Sequence, residues 1–257
     1  MGRLTRAVVA AAAIALAGGL VACGSTDPES GSTPVSSSAP SDLGPVVTAP
    51  TRPAAGPITD PAALRTALLT AADLPVGFVA LPGAERSAEV SADGSADDGS
   101  GPQPTTNPTR CANVLDTIAR QARGAVATAE SNFSGPGFTS IDVDAASFPG
   151  TGAAEAFSTV QTTMRQCTAY TGTDGEGVVV DYRIEPLATP TIGDASTAIR
   201  LVTTSDGFSL VSDAVVAVVD STVVQVVATG PEPVDAGVLE GLARGSAERI
   251  RAAAPSN

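Results

Sequence analysis

Histidine, lysine and tryptophan are absent from this chain. Each absence excludes a chemistry. Without histidine, a serine or cysteine nucleophile lacks its usual general base, and the commonest zinc ligand is missing. Without lysine there is no Ser/Lys dyad, and every basic side chain is an arginine. Aromatic residues make up 3% of the 257, which argues against a surface that stacks sugars or bases. Basic residues number 14 against 27 acids, for a net charge of −13. Such a chain repels nucleic acid and anionic headgroups. Steering of a cationic or neutral partner stays open, although acidity also serves solubility alone. No Gly-x-Ser-x-Gly elbow is present. The N-terminal apolar run, 7–17, falls short of the roughly 20 residues a membrane-spanning helix needs.

What the chain does have begins at that run. Arg3 and Arg6 precede it, Gly18-Gly19 break it, and Leu20-Val21-Ala22-Cys23 follow. A basic start, a short apolar middle and small residues at the cleavage point predict a secretory signal over 1–22. Leu20-Val21-Ala22-Cys23 resembles the lipobox of bacterial lipoproteins. The resemblance implies diacylation of the Cys23 sulfur, cleavage before Cys23, and attachment to the extracytoplasmic face of the cell membrane. An ordinary secretory signal with an incidental cysteine is the alternative. With Cys23 lipidated, Cys111 and Cys167 remain, and a cysteine pair in an exported protein reads as a disulfide. The bridge would close a loop of about 55 residues and contribute roughly 4 kcal/mol in the chain-entropy model. Two buried free thiols are the alternative. Two cysteines without histidine make a poor metal site. No catalytic, cofactor-binding or metal-ligating residue is assigned.

Residues 23–57 are rich in Ser, Pro, Thr and Gly, show no hydrophobic periodicity, and predict a disordered tether. As a flexible coil it spans roughly 30 Å. The folded domain is predicted over 58–254. Asp60-Pro61 starts a helix with Leu64, Leu68 and Ala71 on one face, ending near Leu74 because Pro75 restricts it. Phe78, Val79 and Leu81 predict a short extended segment. Residues 86–109 predict a flexible acidic loop. Its Asp93, Asp97 and Asp98 lack the twelve-residue calcium loop and its terminal glutamate. A helix is predicted from Cys111 to about Ala129, with Val114, Leu115, Ile118, Ala122 and Val126 inward and Arg120 and Arg123 toward solvent. Over 138–148 a strand places Ile141, Val143 and Ala145 on one face and Asp142 and Asp144 on the other. A helix over about 153–170 follows Gly150-Thr151-Gly152. A dinucleotide loop needs a third glycine or alanine where Glu155 stands, so that triplet reads as a turn. Strands are predicted over 178–187, 197–204, 207–212, 214–219 and 222–229, with a hairpin turn at Asp220-Ser221. A last helix is capped by Asp235 and turns Val238, Leu239, Leu242 and Ile250 inward, while Arg249 and Arg251 suit its C-terminal dipole. Short links make the strands antiparallel. The fold class is α+β, an antiparallel sheet packed on one face by helices in a single domain.

Two acid pairs, Asp142 with Asp144 and Asp97 with Asp98, supply the inventory of a carboxylate hydrolase. The first pair reads more simply as a solvated strand face. Asn132-Phe133-Ser134 matches a glycosylation triplet, which the bacterial lipobox discounts. From residue 60 to 254 the pattern is similar to the PknH-type extracellular sensor domain of actinobacteria, which also occurs in lipoproteins without a kinase. The residues that carry it are 68–75 (Leu-Leu-Thr-Ala-Ala-Asp-Leu-Pro), Cys111 and Cys167 at two helix ends, Gly193-Asp194-Ala195-Ser196 before a strand, and the Asp235 helix. The resemblance implies a helix-flanked antiparallel sheet whose cleft takes a small ligand without catalysis. The chain departs from the family in having one candidate disulfide where the kinase domain is expected to have two. Three functions follow as expectations. The first is a lipid-anchored, sensor-like module binding a small-molecule or envelope-derived ligand. The others are a lipid or glycolipid carrier and a carboxylate-dependent envelope hydrolase.

Overall fold

The stretch from Val211 to Val227 is dominated by valine and alanine, and it builds the centre of the molecule. The computed structural model describes residues 42–81 and 104–255. Strands β8 (Phe208–Val219) and β9 (Thr222–Gly230) form a hairpin closed at Asp220-Ser221, where Asp220 takes φ +53°. Around this hairpin lies one nine-stranded sheet, ordered β1-β3-β4-β9-β8-β7-β6-β5-β2. Every pairing is antiparallel. The outer strands are β1 (Val79–Ala80) and β2 (Thr105–Asn107). Between them run β3 (Ala127–Ser134), β4 (Ser140–Ser147), β5 (Ala169–Thr173), β6 (Val179–Pro186) and β7 (Ala195–Ser205).

Among the described residues, four helices accompany the sheet: α1 (Pro61–Thr66), α2 (Ile118–Gln121), α3 (Gly152–Gln166) and α4 (Ala236–Ala253). They lie against both faces of the sheet, not one. The reason is visible in β8 and β9. Ala214, Val216, Val218, Val223 and Val227 join the core beneath α3, while Val215, Ala217, Val219, Val224 and Val226 join the core beneath α1 and α4. Consecutive valines leave no polar face for solvent, so each side needs a helical cover. Burying a valine side chain contributes about 1.5–3 kcal/mol. The α+β class and the antiparallel pairing are as read from the sequence.

Several local expectations are met. Asp235 caps α4 by accepting from the Gly237 and Val238 N–H groups (2.9 and 3.2 Å), and Asp60 caps α1 through the Ala62 N–H. Cys111 and Cys167 are joined in a disulfide. Other expectations need correcting. The α1 helix stops at Thr66, and a 3₁₀ turn, Ala71–Asp73, takes the remainder. The helix expected from Cys111 to Ala129 is a 3₁₀ turn (Thr109–Asn113), the short α2 and strand β3. Leu115 at φ +59° and Gly124 at φ +96° interrupt any continuous helix there. The segments expected at 207–212 and 214–219 are one strand, β8.

Parts of the expected tether and acidic loop fall among the described residues and are packed on the domain. Cys23 and residues 24–41 lie outside the described residues, but 42–57 runs along the domain. The Gln161 side chain accepts from the Val47 N–H (3.0 Å) and donates to the Val47 carbonyl (2.8 Å). Further on, Asp220 receives the Ala55 N–H and the Ser221 hydroxyl donates to the Ala55 carbonyl. Side chains thus satisfy backbone that no strand pairs. Of the expected acidic loop, 86–103 lies outside the described residues, with Asp93, Asp97 and Asp98. Residues 105–107 form β2 on β5.

The turn at Gly193-Asp194 shows how closely the far end of the sheet is built. Gly193 has φ +66°, and a methyl group there would stand 2.3 Å from the Val218 carbonyl oxygen. Asp194 accepts the Asp220 N–H and pairs with Arg251, which also approaches Asp220 at 3.6 Å. Arg251 therefore ties α4 to the β8–β9 turn. Gly193→Ala is expected to cost about 1–3 kcal/mol. The thermal midpoint should fall by several degrees. An unchanged midpoint would show that the turn relaxes freely.

Candidate functional site

The face of the sheet beneath α3 is covered only in part. Alternation along β3 and β4 places Glu130, Asn132, Asp142 and Asp144 on that face. Cross-strand pairing sets Glu130 opposite Asp144, and Asn132 opposite Asp142. On the other side of β4, Gln225 of β9 stands opposite Asp144. These side chains floor a cleft of about 400 Å³, and Leu115, Asp116 and Thr117 form one wall.

Asp144 sits at the root of the cleft, 8% exposed. Its Oδ1 accepts the Ile118 N–H at 2.7 Å, and its Oδ2 accepts from Gln225 Nε2 at 2.9 Å. The same Gln225 nitrogen donates to the Asp116 carbonyl at 3.1 Å. The carboxylate thus holds the segment that makes the cleft wall. Burial pushes its pKa up to about 7, only partly offset by the bonds from Ile118 and Gln225, and the charges of Glu130 and Asp116 add to the rise. Glu130 is also raised, first by burial, with Arg120 opposing and Asp116 reinforcing. Asp142 is raised by burial and lowered in part by the Ser140 hydroxyl, which donates to its Oδ2 at 3.0 Å. With its amide oriented to satisfy both neighbours, Asn132 donates to Asp142 Oδ1 at 3.1 Å.

Leu115, in the cleft wall, holds the left-handed backbone conformation, a strained state for a branched side chain that the surrounding structure must sustain. Arg120 forms an ion pair with Asp116 at 3.7 Å and is mostly exposed, as expected of it. The reading of Asp142 and Asp144 as a solvated strand face is corrected for Asp144, which is buried. Sequence reasoning missed Glu130, Asp116 and Gln225. Only Gln225 left a signal, as a lone polar residue inside Val223-Val224-Gln225-Val226-Val227. Glu155, which argued against a nucleotide loop, accepts from the Thr151 hydroxyl at 2.6 Å. Among the described residues, no cluster of three or more Asp, Glu, Cys or His could hold a metal ion.

A broad antiparallel sheet, helices on both faces, and a polar cleft where helical cover stops define an α+β domain. Among solved structures, the chain is similar to the extracellular domain of PknH from Mycobacterium tuberculosis. The TM-score is 0.50 at 15% identity, covering 77% of this chain and 97% of that one. A second similarity is to an uncharacterised Mycobacterium smegmatis protein, at TM-score 0.32 and 16% identity, over 58% of this chain and 76% of that one. Neither a protein-family model nor a curated protein sequence matches. The PknH-like fold anticipated from the sequence is present.

Proposed function

We propose that the protein is a non-catalytic, ligand-binding module on the extracytoplasmic side of the cell membrane, anchored by lipid on Cys23. One observation carries the binding reading: a polar, partly desolvated cleft in a sheet face that is otherwise apolar and packed. Glu130 and Asp142 supply negative charge in a low-dielectric recess, and Asn132 and Thr117 add hydrogen-bonding groups. That field disfavours anions and selects a small ligand bearing an amine. The likeness to an extracellular domain and the signal-like N-terminus support the location. Among the described residues, no helix is long and apolar enough to cross a membrane.

Thermal shift with a panel of small amines and matched carboxylates tests the reading. A bound amine at a hundred times its Kd adds about 2.7 kcal/mol. That raises the midpoint by roughly 5–10 °C in a domain of this size. Glu130→Gln with Asp142→Asn should abolish the shift. Equal stabilisation by amines and carboxylates, or none by either, would sink the proposal. Mass spectrometry of the mature N-terminus tests the anchor separately.

The pKa of Asp144, near 7 beside Asp142, keeps a hydrolase as the second reading. Both Asp144 oxygens already accept structural hydrogen bonds, which favours binding over proton transfer. Envelope-glycan hydrolysis lost in an Asp142→Ala, Asp144→Ala variant that still folds would reverse that preference. The carrier reading loses its main support, because the aliphatic strands meant to line a lipid cavity are packed against helices.

A further inference from the structure

A second concavity lies at the end of the sheet, lined mostly from the α4 side and sharing Thr229 with the acidic cleft. It is a groove of about 560 Å³ where three loops meet: 75–78 before β1, 135–139 between β3 and β4, and 231–235 before α4. Four prolines, Pro75, Pro136, Pro231 and Pro233, form its walls with Phe78 and Val238. Proline offers hydrocarbon and no N–H, and its fixed φ makes the walls stiff before anything binds. Glycine lets the walls close up. A Cβ on Gly135 would stand 2.6 Å from the Phe78 ring, and one on Gly230 would stand 3.0 Å from Thr139. Beside the groove, Val76 and Phe138 are almost wholly exposed, and Val79 and Leu81 are more than a third exposed. Exposed apolar side chains gathered near a groove mark an interaction surface.

The charges and the sheet edge define what would cover it. Glu232 and Asp235 stand among the lining residues, which include no arginine. Asp235 is engaged as the α4 cap, so exposed Glu232 is the acid available to a partner. A second copy of this chain, at net charge −13, brings like charge. Anionic lipid does the same. Strand β1 pairs with β3 on one side only and ends the sheet, so among the described residues its outer backbone edge has no strand partner. A polypeptide in extended form can use that edge and the groove together. We propose that the groove docks an extended segment of a partner protein, with aliphatic side chains in the proline-walled channel and an arginine or lysine against Glu232.

The test uses the full chain and two labelled ten-residue peptides with the same alternating valine–leucine centre. One has arginine at each end and the other has glutamate. Fluorescence anisotropy should show saturable binding of the arginine peptide, tighter at low salt, and at least tenfold weaker binding of the glutamate peptide. Glu232→Arg should reverse that order. The double variant Val76→Ser, Phe138→Asn should weaken the arginine peptide about tenfold without moving the unfolding midpoint, because both side chains are exposed. Absence of binding, equal binding of the two peptides, or indifference to these variants overturns the proposal. It is also overturned if the double variant instead abolishes uptake by phosphatidylcholine vesicles or a concentration-dependent dimer, which would assign the groove to lipid or to a second copy.

Discussion

Replacing both Cys111 and Cys167 by alanine is expected to lower the unfolding free energy by about 4 kcal/mol. The two residues are 56 apart in sequence, so the bridge removes a long loop's worth of freedom from the unfolded chain. A typical domain has about 5–15 kcal/mol in total, so the loss takes a large share. Both cysteines are buried in the core beneath α3, at 1% and 0% exposure, and truncation there also removes packing. The consequence extends to the cleft. The 3₁₀ turn around Cys111 leads directly into Leu115, Asp116 and Thr117, and the bridge fastens that turn to the end of α3. The variant should therefore lose amine binding as well as stability. Urea unfolding, with m fitted for each variant, measures the first effect and thermal shift the second. A loss under 1 kcal/mol would mean that packing alone holds the segment.

How legible this segment was follows from where its order comes from. The β8–β9 hairpin, α3 and α4 declare themselves in local patterns. Alternating or continuous valines end at Asp220-Ser221, and Asp235 sits three residues before Val238. Residues 109–134 carry no such local instruction. A helical stripe of Val114, Leu115, Ile118 and Ala122 is present in the sequence, yet tertiary partners override it. Cys167 fixes one end, the Asp144 carboxylate takes the Ile118 N–H, and Gln225 takes the Asp116 carbonyl. Ala127, Ala129 and Phe133 then face the α1 side from β3. Glu130 belongs to the cleft only because β3 pairs with β4 in one register. A one-residue slip would put it on the other face. The acid pair on β4 was readable as a pair. Its burial was not, because the residues that bury Asp144 come from segments 26 and 81 positions away.

The same burial gives the protein a pH dependence whose sign is fixed. Asp144 has a folded pKa of about 7 against an ordinary carboxylate value of 3.8. A group raised on folding binds its proton more tightly in the native state. Its contribution is therefore fully present below pH 4 and is lost as pH rises through 7. That rise in pKa corresponds to about 4 kcal/mol between acid and neutral pH. Glu130 and Asp142 are shifted in the same direction and steepen the fall. Asp73 opposes them at the acid end. Hydrogen bonds from Thr70 hold it below its ordinary value, and stability from that source disappears as pH drops. The full chain should be most stable near pH 4, where Asp73 is ionised and Asp144 protonated, and weaker at pH 8. Asp144→Asn removes the titrating group and leaves an acceptor for the Ile118 N–H. Its urea midpoint should vary much less between pH 5 and 8. Curves that run parallel across this range would show that Asp144 stays ionised in the fold, and that the cleft carries one more negative charge than its geometry implies.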